Sequence, residues 1–243
     1  MPTILHEDNH CLVVDKPAGM LAQGDISGDF SLVDWVGDYL KLKYQKPGNV
    51  FVGLVHRLDR PTSGVVLLAR TSKAASRLSE QFRIGVVAKT YLAVCEGRAG
   101  DRQGVWEDEL IKDHASNTVS IARKGQTGSQ VARVGYEVVY EMANTVGVIL
   151  RPLTGRGHQL RVQLAARGLP IVGDGKYGSK SRLIANDGLP RIALHAARLS
   201  FKHPTKAATC EVQAALPSDW PDAANAFGAE WTSSNTLEEP QDR

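Results

Sequence analysis

Short runs of alternating apolar residues, paired across turn-forming residues, constrain this chain more than any other feature of it. Val87–Cys95 alternates so that Ala88, Thr90, Leu92 and Val94 share one face and Lys89, Tyr91, Ala93 and Cys95 the other. Val131–Tyr140 and Val146–Arg151 follow the same rule and are joined through Ala143-Asn144-Thr145. Ala197–Lys202 and Ala208–Gln213 flank His203-Pro204. Cys11–Val14 reads as a buried strand that stops at the turn Lys16-Pro17-Ala18-Gly19. Three helical patterns interrupt the strands. Ser31–Tyr44 opens on a Ser31/Asp34 capping box and lines Leu32, Val36, Tyr39 and Leu40 on one face. Ser72–Arg83 turns Ala75, Leu78 and Phe82 inward and ends at Gly85, and Gly157–Arg167 buries Leu160 and Leu164 and stops at Gly168. Hairpins with few helices between them predict a mixed α/β (α+β) chain around a mainly antiparallel sheet. No linker or repeat divides it, so one domain is expected over 1–225, followed by an acidic C-terminal tail at 226–243.

Composition removes several classes of function. No run approaches the roughly 18 apolar residues of a membrane span, and the first residues lack a secretory signal. Three widely spaced cysteines, Cys11, Cys95 and Cys210, suit reduced thiols in a cytoplasmic protein. His6, His10 and Cys11 have no fourth ligand at a recognisable spacing, so no metal is expected. The formal charge of +3 is compatible with a nucleic-acid partner without requiring one.

Gly173-Asp174-Gly175-Lys176-Tyr177-Gly178 matches G-x-G-x-x-G in form, but the acidic residue expected about 20 positions on is missing, and a turn is the better reading. Neither a P-loop nor a G-x-S-x-G elbow is present. Three other strings carry chemistry. In His56-Arg57-Leu58-Asp59-Arg60-Pro61-Thr62-Ser63-Gly64, cations flank an aspartate ahead of an apolar strand. Such a carboxylate stays ionised, as a nucleophile or stabiliser needs and as a surface ion pair equally would. Tyr91 shares a strand face with Lys89 and is either a half-buried core tyrosine or a ring for stacking or proton transfer. In Gly155-Arg156-Gly157-His158-Gln159-Leu160-Arg161, glycines lead into a helix whose face carries His158 and Arg161, either a solvated basic face or an anion site.

Taken in order along most of the chain, these strings resemble the RluA family of RNA pseudouridine synthases. Lys16-Pro17-Ala18-Gly19, His56-Arg57-Leu58-Asp59 with Thr62-Ser63-Gly64, Lys89-Thr90-Tyr91, Gly155–Arg161, Gly173-Asp174 with Tyr177-Gly178, and Leu194-His195-Ala196 with His203-Pro204 carry the resemblance. Gly157 stands where the family has Thr, which removes a hydroxyl that could cap the helix. The resemblance implies the pseudouridine synthase fold with a central cleft, and Asp59 as the attacking carboxylate. It implies Tyr91 against the uracil as a candidate for proton removal, and Arg161 paired with Asp59. Arg57 would fill the place of a flipped base, while Lys16, Arg60, Arg156, His158 and the Lys73/Arg77 helix face would meet RNA. The substrate would be tRNA or large-subunit rRNA and the monomer is the expected state. An isomerisation in which no electrons or groups leave calls for no cofactor. Too few residues precede the first core strand for an N-terminal S4-type domain. The rivals are an inactive RNA-binding module of the same fold and a hydrolase using Asp59, for which no second carboxylate is evident.

Overall fold

The computed structural model describes residues 1–221, 227–231 and 235–237. In chain order the elements are β1 (Thr3–Glu7), β2 (Cys11–Lys16), α1 (Leu32–Lys43), β3 (Gly53–Leu54), β4 (Ser63–Ala69) and α2 (Ser72–Ile84). There follow β5 (Ala88–Glu96), β6 (Gln103–Asp113), β7 (Thr118–Ile121), β8 (Gln130–Met142) and β9 (Thr145–Pro152). The last are α3 (Gln159–Ala165), β10 (Leu194–Lys202), β11 (Thr209–Gln213) and β12 (Asn235–Leu237). They fall into two compact units: Met1–Val87 with Ala196–Ala215 and the chain from Ser233, and Ala88–His195 with Leu216–Thr232. The expected mixed, mainly antiparallel architecture is what both contain. No helix among the described residues is long and apolar enough to cross a membrane.

In the first unit β1, β2 and β4 form an antiparallel series, with β3 paired to the end of β4. β10, β11 and β12 form another. β4 is buried at every residue because both of its faces are covered. Cys11, Val13, Val65, Leu67, Leu199, Phe201 and Val212 pack with Ala74 and Leu78 of α2 in one apolar cluster. α1 begins as its sequence predicts: the Ser31 hydroxyl accepts from the Asp34 N–H, and the Asp34 carboxylate accepts from the Ser31 N–H. α2 is capped by Thr71 and closed by Gly85 at φ 76°, a left-handed conformation natural to glycine.

In the second unit β5, β9, β8, β6 and β7 follow one another in that order, each pair antiparallel. The sequence reading missed β6 and β7. In Gln103–Asp113 charges interleave with few apolar residues, because one face of this hairpin is solvated. β5 alternates only at its start, since Leu92, Ala93, Val94 and Cys95 are all fully buried and the strand has core on both faces. Val162 of α3 packs on Leu110, Val119 and Ala132 beneath it. Gly147 must lack a side chain, because a Cβ there would sit 1.9 Å from the Tyr140 ring.

The segment expected as a tail contributes buried Phe227 and Trp231 to the second unit, and β12 pairs with β11 in the first. The acidic end, 238–243, lies outside the described residues.

Two carboxylates anchor the start of the chain. Burial alone would raise the pKa of Glu7, but the Lys43 ammonium and the Tyr39 and Tyr44 hydroxyls bring it down to about 2. Burial opposes ionisation of Asp8 too, yet the N–H groups of His10 and Cys11 and the His203 imidazole hold it well below the carboxylate range. A depressed folded pKa contributes stability that is complete above the unfolded value and lost as pH falls through the folded one. Urea midpoints should therefore decline as pH drops from about 4.5 toward 2, and Glu7→Gln should flatten that decline. A slope identical in the variant would remove Glu7 from the account.

Candidate functional site

The aspartate motif folds as a series of locks. The His56 ring stacks on Phe82 at 4.5 Å, and its Nε2 accepts the Leu67 N–H at 2.9 Å, extending the β3–β4 ladder by one bond. Leu58 is buried. Asp59 is half-buried, and its carbonyl accepts the Thr62 N–H at 3.0 Å across the turn that Pro61 favours. Thr62 and Ser63 are buried, and Gly64 at φ 117° has its Cα against β10, where a Cβ would meet the Ala196 carbonyl at 2.3 Å. The chain can take this path only with glycine there.

Lys16 holds the other side of the turn. It is completely buried, and its ammonium donates to the carbonyls of Pro17 at 2.9 Å, Met20 at 2.8 Å and Arg60 at 3.3 Å. The Arg60 carbonyl also accepts the Gly19 N–H at 2.8 Å. The backbone one residue beyond Asp59 is thus gripped twice by the Lys16-Pro17-Ala18-Gly19 turn. This corrects the expectation for Lys16: its charge lies inside the fold with no surface to offer a phosphate, and it positions the aspartate loop instead. Arg57 is exposed. Arg60 is exposed too, but its guanidinium is engaged, Nε with the Gly19 carbonyl at 2.9 Å and Nη1 with Asp29 at 2.7 Å. On the α2 face, Arg77 donates to the Pro204 carbonyl at 2.6 Å, which ties it to the chain as well.

Tyr91 and Arg161 belong to the second unit. Tyr91 is half-buried on β5 opposite Leu150. Burial lowers the pKa of Lys89, its neighbour on that face. Arg161 is buried on α3 and held bidentately by Asp174, Nε to Oδ2 at 2.6 Å and Nη2 to Oδ1 at 2.8 Å, with Asp174 itself buried. Its guanidinium carbon lies 4.9 Å from the centre of the Tyr177 ring. The Tyr177 hydroxyl in turn accepts the Val119 N–H at 3.0 Å and lies 2.6 Å from His158 Nδ1. One short turn, Gly173–Gly178, therefore grips Arg161 by its edge and its face and His158 by its ring. The glycines serve that turn: a Cβ at Gly173 would strike the Arg191 carbonyl at 2.4 Å.

Two details at the head of α3 differ from expectation. The helix spans Gln159–Ala165 and not Gly157–Arg167, and its N-cap is His158 in the left-handed region at φ 51°. Seven residues beginning on a left-handed cap make no anion site. The Gly155-Arg156-Gly157 segment is ordered by the buried Gln159, whose Oε1 accepts from the Thr154 hydroxyl and the Arg156 N–H while Nε2 donates to the Arg133 carbonyl. The N-cap position is therefore His158 and not Gly157, and no side chain caps the helix. Arg156 is exposed, with Nε on the Val131 carbonyl at 3.0 Å.

Asp174, Tyr177 and Gln159 are the residues the sequence reading did not assign. All three stood inside quoted strings, but a partner thirteen residues and a loop away has no spacing rule. The visible signal was an aspartate between two glycines beside a buried apolar segment.

Among the described residues, Asp8, Cys11 and His203 are the side chains grouped closely enough to hold a metal ion. His203 Nδ1 accepts the N–H groups of Thr205 and Lys206, so its proton is on Nε2, which donates to Asp8 at 2.6 Å. A ring with both nitrogens so engaged is a structural strut and not a ligand.

Residues 10–166 match the family model described as RNA pseudouridylate synthase. Ribosomal large subunit pseudouridine synthase C of Haemophilus influenzae is 34% identical over 215 residues, 88% of this chain and 65% of that protein. Its Escherichia coli counterpart is 35% identical over 217 residues, 88% of this chain and 66% of that protein. The chain thus spans slightly less than two thirds of the length of these relatives. Among solved structures, human RNA pseudouridylate synthase domain containing 4 superposes with a TM-score of 0.73 at 26% identity, covering 88% of each chain.

Proposed function

The chain belongs to the RNA pseudouridylate synthase family, and from that premise we propose that it isomerises uridine to pseudouridine in RNA, with Asp59 as the attacking carboxylate. The observation that supports this reading is the hold on the Asp59 loop: a fully buried lysine and a glycine N–H fix the Arg60 carbonyl, and with it the main chain from which the neighbouring carboxylate projects. A surface ion pair needs no such fixture; a nucleophile does, because misplacement of about 1 Å costs roughly 100-fold in rate.

The Asp59 carboxylate takes C1′ as the N1–C1′ bond breaks, the uracil turns, and C5 joins C1′ as the carboxylate leaves it; the C5 proton then goes to solvent while N1 gains one. Atoms and electrons balance within the nucleotide. A stacked uridine must first leave its helix, at a cost of a few kcal/mol. Exposed Arg57 is suited to occupy the place left behind. Arg161, already oriented by Asp174 and Tyr177, supplies a fixed positive charge. Large-subunit rRNA is the favoured substrate because the relatives are named for it, with tRNA the second choice.

Liquid chromatography with mass spectrometry of nucleosides after incubation with rRNA and tRNA transcripts tests the reading. A nucleoside of uridine's mass that elutes apart from uridine and does not lose its base on fragmentation supports it; free uracil would assign a hydrolase, and unchanged RNA that is nonetheless bound would assign a binding module. Tyr91→Phe is expected to lower kcat by about 100-fold, within the range of general acid–base contributions, while leaving RNA affinity within about twofold, because the ring remains. Full activity in Tyr91→Phe would exclude the phenol from proton transfer.

A further inference from the structure

The connection between β2 and α1 has an unusual surface. Its base is closed by Leu21 and Ser31, which pair as a bridge, with the Leu32 N–H on the Leu21 carbonyl at 2.8 Å. Its tip is ordered by its own turn bonds: Ser27 N–H to Asp25 Oδ1 at 2.8 Å, Asp29 N–H to Ser27 Oγ at 3.2 Å, and Gly28 at φ 73°. That ordered tip holds Ile26 fully in solvent, and Phe30 is 54% exposed at the loop's end. Single exposed apolar residues are ordinary. Two on one self-ordered loop, joined by an ion pair to the residue after Asp59, are a different matter.

The join is the Arg60–Asp29 pair, whose side chains are each about half exposed at 48% and 47%. Such a pair is weak and exchangeable. A phosphate offers the guanidinium fork a stronger, bidentate acceptor than this contact. We propose that the Ala22–Phe30 loop is a second RNA-contact element, in which a substrate phosphate takes Arg60 from Asp29 and Ile26 and Phe30 pack on the face of a neighbouring unstacked base. RNA is the occupant favoured here because an unstacked nucleotide offers both features together, an apolar π-face and an adjacent anion. Arg57, exposed as well, lies three residues before Arg60 on the same motif. The proposal rests on the RNA-modifying reading and adds to it a site for a nucleotide other than the target.

Phe30→Trp in the full chain provides the test, its emission taken as the difference from wild type, with a uridine-rich single-stranded RNA 12-mer as the probe. Quenching of the added tryptophan on RNA addition is expected, and more of it for Asp29→Asn/Phe30→Trp at equal sub-saturating RNA. Ile26→Ser/Phe30→Ser should raise KM for rRNA transcripts about tenfold with kcat within about twofold. Unquenched emission at RNA concentrations that fully bind the protein, or an unchanged KM, would overturn the proposal. So would an emission change that follows protein concentration without RNA, since that would assign the patch to a second copy of the chain. If wild type forms no pseudouridine the isomerase reading fails instead, and the quenching still decides the loop's role.

Discussion

Asp59→Asn is expected to lower turnover by a factor on the order of 10⁴ or more, the scale on which removal of a nucleophilic or directly assisting group acts. Folding and RNA affinity should survive. The amide has the carboxylate's shape, and the turn is made by the main chain: the Thr62 N–H on the Asp59 carbonyl, and the Arg60 carbonyl held by Lys16 and Gly19. None of these bonds uses the side chain that changes. Circular dichroism and filter binding alongside the rate measurement separate the outcomes. An unfolded variant would mean that Asp59 serves the structure, and a variant with more than a tenth of wild-type turnover would mean that the carboxylate is not the attacking group.

Asp174→Asn is expected to cost roughly 3–5 kcal/mol, the range found when one member of a buried ion pair is removed. Arg161 and Asp174 are both buried, and the two bonds between them are short and parallel. An amide can accept from only one edge of that fork and sets its own N–H groups against the other. The urea midpoint should fall without a change in the m-value. A shape-matched apolar pair, Asp174→Leu with Arg161→Met, should recover most of that stability and none of the activity, because burying an ion pair yields little net gain over packing. Stability unchanged in Asp174→Asn would show that water reaches the pair and that the turn does not orient Arg161.

The parts of the molecule that were legible in the sequence are those whose causes are local. The capping box of Ser31 and Asp34 lies within four residues, and both of its bonds form. Gly85 closes α2 because a left-handed residue is needed at that one place. The Asp59 motif stood out for the same reason, as charge and turn formers crowded into a few positions. What was missed depends on distant chain. A lysine normally reads as a surface residue, and Lys16 is buried where the turn folds the Pro17 and Met20 carbonyls onto its ammonium and the Arg60 carbonyl, 44 positions away, joins them. α3 was drawn too long because the pattern of Leu160 and Leu164 gives a helix its face and not its ends, and the left-handed backbone of His158 sets where it starts. Asp174 could not be matched to Arg161 without the turn that brings them together.

The most direct test of the central claim is tritium release from RNA transcribed with C5-tritiated uridine, using wild type and Asp59→Asn on large-subunit rRNA and tRNA. Joining C5 to C1′ obliges the C5 hydrogen to leave, so wild type should release tritium into water in step with pseudouridine formed, and the variant should release none. Uracil set free with its tritium retained, or equal release by the two proteins, would contradict an isomerase that works through Asp59.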